Sequence, residues 1–210
     1  MNSLNFNSIS EFLWLNITKD KKQQKKPMAI FMIGLPASGK STVIEQFIKD
    51  QLKLKNNDFI HIDPDIFMKK HPDYNNSHPE EYNKLGVILS SKILNKIYDD
   101  NYNFIYYGTG KNYSQYMTMI NKTHRSGFHT ILLNVLLDKK EAKKRSKKRK
   151  RKVPDNVINK INKQLKNTHS KSKKYKGKTN FEILSELPTT DEWFVYNNNP
   201  KKAILVDSKK

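Results

Sequence analysis

The chain has 210 residues, 36% hydrophobic and 10% aromatic, enough for one sizeable core, so wholesale disorder is excluded. It has no cysteine, which excludes disulfide scaffolds, cysteine-ligated zinc, iron–sulfur clusters and thiol chemistry. The formal net charge is +20, but 4 arginines stand beside 36 lysines and 23 asparagines, the bias of an AT-rich genome, so charge alone identifies no polyanion partner.

Hydrophobic periodicity and turn residues mark the elements along the chain. Ile9, Phe12, Leu13 and Ile17 recur at helical spacing, and residues 19–26 form a charged linker. Residues 1–26 are therefore set apart as an N-terminal helix and basic linker, ahead of one domain over 27–210. The start of the chain lacks a signal-peptide pattern, and no apolar run approaches the roughly 18–20 residues of a membrane span. A soluble, cytoplasmic protein with no membrane partner is expected.

Residues 28–33 are almost wholly apolar, as in a strand buried on both faces, and a glycine-flanked turn over 34–39 follows. Val43, Phe47, Ile48 and Leu52 mark a helix. Residues 59–62 are a second strand, ended by Asp63-Pro64-Asp65. Ser77-His78-Pro79-Glu80 reads as a capping box before a long helical stripe of Tyr82, Leu85, Leu89, Ile93 and Ile97. Residues 103–107 form a third strand, closed by Gly108-Thr109-Gly110. A helix over 113–126 stops at Gly127, and a fourth strand runs over 128–137. After a basic segment, Pro154 opens a helix with Val157, Ile158, Ile161 and Leu165 on one face. Residues 193–196 and 203–206 read as strands around a turn at 197–200. Strands alternating with helices predict an α/β fold, a parallel sheet of about five strands with helices on both faces.

Gly34-Leu35-Pro36-Ala37-Ser38-Gly39-Lys40-Ser41 fits the phosphate-loop pattern G-x-x-x-x-G-K-[ST] at every fixed position. At this composition a chance match has a probability of about 0.5%. The two glycines let the backbone curl so that successive N–H groups face phosphate oxygens, and the helix that follows adds its positive end. Lys40 reaches the β- and γ-phosphates, the Ser41 hydroxyl suits Mg²⁺, and Thr42 is placed for the α-phosphate. A kinase-type P-loop NTPase fold binding ATP or GTP with Mg²⁺ is expected, with residues 34–42 as the nucleotide site. Past the second strand, Asp63 and Asp65 stand at the carboxyl edge, where ligands of open parallel sheets bind, and an extended chain would put both carboxylates on one side.

An ordered series of motifs resembles the zeta-toxin-like P-loop kinases. After the phosphate loop come Ile62-Asp63-Pro64-Asp65-Ile66-Phe67 with His71-Pro72-Asp73-Tyr74, then residues 102–105 with Gly108-Thr109-Gly110. Ser126-Gly127-Phe128 before an apolar strand and an arginine-containing segment ending Val153-Pro154 complete it. The resemblance spans about residues 28–165 and implies phosphoryl transfer from a nucleoside triphosphate to a hydroxyl. It implies Asp65 as the general base, Lys40 as stabiliser of the transferring group, and Arg145, Arg149 and Arg151 as lid arginines, with Arg151 best placed in R-x-V-P. It places Asp63, Tyr107 and Thr109 on the acceptor side. Tyr107 stands where the family carries a carboxylate that contacts the acceptor sugar, which leaves the family's acceptor, UDP-N-acetylglucosamine, open for this chain; Met68 stands where the family often carries a basic residue, with Lys69 beside it.

Residues 139–152 hold 11 basic side chains and one acidic one, half of the net charge. Together with Val153 and Pro154 they read as a basic lid over 139–154, as a nucleic-acid patch or as a solvated helix face. The leading expectation is an ATP-dependent kinase acting on a small-molecule hydroxyl, such as that of a nucleotide sugar. A kinase of nucleic-acid 5′-hydroxyls and a catalytically silent polyanion-binding P-loop protein are the alternatives. Whether an antitoxin-like partner exists is open at this level, as is the choice of ATP or GTP.

Overall fold

A computed structural model describes residues 6–70, 74, 82–150, 152–166, 175–199 and 202–210. The expected capping box at 77–80, the motif residues His71, Pro72 and Asp73, and Arg151 lie outside the described residues.

Helix α1 (Phe6–Thr18) leads by a linker to β1 (Met28–Gly34). Helix α2 (Lys40–Phe47), β2 (Ile60–Ile62), α3 (Pro64–Phe67), α4 (Asn83–Asp100) and β3 (Phe104–Tyr107) follow. Then come α5 (Tyr113–Arg125), β4 (His129–Leu136), α6 (Lys139–Lys147), α7 (Asp155–Leu165), α8 (Asn180–Ser185), β5 (Glu192–Asn197) and β6 (Ile204–Lys209).

The six strands form one sheet in the order β2-β3-β1-β4-β5-β6. Five are parallel, and β6 turns back antiparallel along β5 as a largely exposed edge. That edge is where an antiparallel return is tolerated, because one face can stay wet. Strand β1 lies between β3 and β4, the point where the chain's successive strands change direction, so its carboxyl end opens into the crevice.

Alternation along β1 builds two cores. Ala29, Phe31 and Ile33 face α4, α5 and α8, while Ile30 and Met32 face Val43, Ile44 and Phe47 of α2. Helix α1 joins the first core through Leu13, with Glu11 paired to Lys96 of α4. A third cluster unites Leu35, Leu137, Ala142, Ile158 and Ile161, so α6 and α7 dock on the phosphate loop itself.

The helix expected through Leu52 ends its α-form at Phe47 and widens into a π-turn over Ile48–Leu52, closed by Lys53 in the left-handed conformation. The short helix α8 was not expected from periodicity, yet its capping box, Thr179 with Glu182, is present in the sequence.

Candidate active site

The loop's geometry follows from its glycines. Gly34 has φ +141°, and a Cβ there would lie 2.5 Å from the Val135 carbonyl oxygen. Gly39 has φ +83°, and Ala37 is left-handed at +60°. Ala37 stores the cost of a conformation that L-residues avoid, as functional loops often do. The turn is closed by the Ser38 N–H on the Leu35 carbonyl at 3.1 Å. Among the described residues no side chain caps α2, so its free N–H groups remain available to an anion. Ser38 is fully buried and its Oγ has no partner among the described residues, an orphan that a phosphate oxygen would satisfy.

Lys40 folds back onto this loop. Its Nζ donates to the carbonyls of Gly34 (3.1 Å) and Leu35 (2.9 Å). Burial lowers its pKa to about 8, with Arg149 pulling the same way and Asp63 and Asp65 opposing. Ser41 and Thr42 are exposed on the first turn of α2.

The two aspartates do not continue the strand as an extended pair, as their spacing suggested. Pro64 opens α3, and Asp63 becomes its N-cap, its Oδ1 accepting the Asp65 N–H at 2.9 Å. Asp63 is half-buried, and burial raises its pKa, while the Asp65 N–H that it accepts and the Lys40 charge oppose the shift. Asp65 stays exposed on the first turn of α3. Helix α3 is seated tightly on α4, since a Cβ on Gly86 would lie 2.2 Å from the Pro64 carbonyl oxygen. Ser41 and Asp63 each offer oxygen, the donor type that suits Mg²⁺.

At the end of β3, the Tyr107 hydroxyl lies 2.8 Å from His61 Nδ1 across the neighbouring strand, with the rings 22° from parallel. His61 Nε2 lies 3.2 Å from the Asn56 carbonyl oxygen. Burial holds the imidazole below its ordinary pKa, so it is neutral. Its one N–H therefore donates to Asn56, and Nδ1 accepts the Tyr107 proton. Burial and the charges of Asp63 and Glu45 push the Tyr107 pKa far up. A neutral hydroxyl thus occupies the strand end where the resembled family has a carboxylate. Tyr106 and Tyr116 pack in the core edge to face, the Tyr116 hydroxyl donating to the Met32 carbonyl at 3.0 Å. Thr109 meets the phosphate loop through its backbone, its carbonyl accepting the Gly34 N–H at 3.1 Å.

Of the arginines expected in a lid, Arg145 is half-buried and bonded to Glu141 and to the Asn198 carbonyl, both at 2.9 Å. Arg149 is exposed on the turn after α6 and near enough to depress Lys40. The buried Ser146 hydroxyl bonds both the N–H and the carbonyl of Val153, closing the base of that basic turn.

Two asparagines went unnoticed in the sequence. Asn198 donates its amide to the Ser38 carbonyl at 2.7 Å, and Asn180 donates to the Gly110 carbonyl at 2.7 Å. Their only local signal is position, one just past a strand end and the other just inside a capping box.

No curated protein matches the chain. Several solved structures share its fold. The PezAT chromosomal toxin–antitoxin system of Streptococcus pneumoniae matches with TM-score 0.74 and 19% identity over 99% of this chain and 81% of that one. The AvrRxo1-ORF1:AvrRxo1-ORF2 complex matches with TM-score 0.66 and 12% identity, over 97% of this chain and 63% of that one. The Pnkp1/Rnl/Hen1 RNA repair complex matches with TM-score 0.54 and 20% identity, over 76% of this chain and 49% of that one. Identities this low speak for the fold alone. The family model for the zeta toxin matches residues 14–210, from within α1 through the phosphate loop and the aspartate pair to the last strand, and the chain belongs to the zeta toxin family.

Proposed function

We propose that this chain is an ATP-dependent kinase moving the γ-phosphoryl group onto a hydroxyl of a small molecule. Nucleotide sugars are the first acceptors to test, and GTP is the alternative donor. One observation carries the reading. At the carboxyl edge of the sheet, a phosphate-loop lysine that is mostly charged at neutral pH lies within the field of two carboxylates, one of them exposed on a fixed helix turn.

On this reading residues 34–42 hold the nucleotide phosphates. Lys40 exchanges its two carbonyl partners for phosphate oxygens. Asp65 accepts the proton of the acceptor hydroxyl as that oxygen bonds the γ-phosphorus. The bond from the γ-phosphorus to the bridging oxygen breaks, and the nucleoside diphosphate leaves with that electron pair. Arg145 and Arg149 balance the charge that spreads over the transferring group, and Arg151 is assigned to the same lid by its motif. Asp63, Tyr107 and Thr109 face the acceptor. Ser41 directly and Asp63 through water would hold Mg²⁺, which when bound neutralises phosphate charge.

A second reading, a kinase of nucleic-acid 5′-hydroxyls, draws on the exposed basic turn after α6, whose Arg149 is close to Lys40. An antitoxin-like protein that covers the site is a further proposal, since the similar pneumococcal structure belongs to a toxin–antitoxin system.

The test is transfer from γ-labelled ATP with Mg²⁺ to nucleotide sugars, nucleosides and 5′-hydroxyl oligonucleotides. Label on one acceptor, lost in both Lys40→Ala and Asp65→Asn, is expected. Label only on oligonucleotides selects the second reading. Bound nucleotide without label on any acceptor would defeat both.

A further inference from the structure

Arg145 is held by two hydrogen bonds. Its Nε donates to Glu141 Oε1 at 2.9 Å, one turn back on α6. Its Nη2 donates to the Asn198 carbonyl oxygen, also at 2.9 Å. Asn198 is itself fixed. It is 8% exposed, its N–H donates to the Leu136 carbonyl at 3.0 Å, and its side-chain Nδ2 donates to the Ser38 carbonyl at 2.7 Å. One residue thus joins the end of β4, the phosphate loop and the guanidinium. The remaining guanidinium nitrogen, Nη1, makes no hydrogen bond among the described residues. It lies 3.9 Å from where a Cβ on Gly39 would be, against the start of the phosphate-loop helix. Arg149, by contrast, is exposed beyond the end of α6.

We propose that Asn198 is a positioning residue that presets Arg145 beside Gly39 as a resident anchor for the donor's phosphates, an inference that rests on the kinase reading above. A planar fork already held in place loses little freedom on binding, so part of its contribution appears in ground-state affinity, beside its part in the transfer step. Asn198 touches no substrate on this view. Its amide keeps the carbonyl that orients Arg145 in register with the loop.

The test measures binding of a non-hydrolysable ATP analogue and of inorganic tripolyphosphate to wild type, Asn198→Ala, Arg145→Ala and the double variant. Asn198→Ala is expected to weaken both probes about tenfold, the scale of losing one charge-assisted hydrogen bond. The double variant should match Arg145→Ala within about twofold, because Asn198 acts through the arginine. Asn199→Ala is the control: it sits in the same turn but bonds the Asp138 N–H, and it should leave both affinities unchanged. If Asn198→Ala melts markedly earlier than wild type, Asn198→Leu carries the test, since it keeps the volume without the N–H donor and adds no charge. Wild-type affinity in these Asn198 variants, or losses that multiply in the double variant, would overturn the proposal and leave the kinase reading standing. Failure of the wild type to bind either probe would overturn both.

Discussion

The lowered pKa of Lys40 makes nucleotide binding depend on pH in a calculable way. With a pKa of about 8, the charged fraction is about three quarters at pH 7.5 and about a tenth at pH 9. If only the charged form binds, the apparent Kd rises about eightfold over that interval. Tyr106, pushed up to about 12, and the neutral His61 do not titrate there, so Lys40 dominates the change. The assay is fluorescence anisotropy of a labelled non-hydrolysable ATP analogue at fixed ionic strength and saturating Mg²⁺. Lys40→Arg, charged throughout, should show a flat profile whatever its absolute affinity. Stability should move the opposite way. Between about pH 8 and 10.5 the unfolded chain still binds the proton that the folded protein has released, so the Lys40 contribution to stability rises with pH. A wild-type Kd that stays flat from pH 7.5 to 9, or an equal rise in Lys40→Arg, would refute the reasoning.

Three further outcomes follow from the geometry. Gly39→Ala places a Cβ 2.2 Å from Asn198 Nδ2 at a φ of +83°; it should lower Tm by the equivalent of about 1–3 kcal/mol and weaken nucleotide binding at least about a hundredfold, checked by thermal melts and calorimetry. Leu35→Ala removes the side chain on which α6 and α7 dock; a loss of about 2–4 kcal/mol should speed amide exchange across those helices while β1 and β3 stay protected. Tyr107→Phe removes the O–H that His61 Nδ1 accepts; the imidazole pKa should rise toward but not reach 6.5, because burial still lowers it, and an NMR titration reads the shift directly.

The local features of this protein were legible in its chain. Glycine torsions shape the phosphate loop, and alternating apolar runs and helical stripes mark most of the strands and longer helices. Each depends on neighbours a few residues away, which is why the loop at Gly34 and the crossovers around it are written in the chain itself. The family resemblance likewise rested on ordered short motifs. The tertiary structure decided what depends on the strand order. Asn198 reaches Ser38 across 160 residues because β5 ends beside β4, and Asn180 reaches Gly110 across 70. His61 meets Tyr107 because β2 and β3 are neighbours in register. The extended reading of Asp63-Pro64-Asp65 gave way to a capped helix turn once α3 could seat on Gly86. The Lys40 pKa, too, is set by burial and by charges brought close from distant segments, a balance that desolvation decides and residue identity alone does not contain.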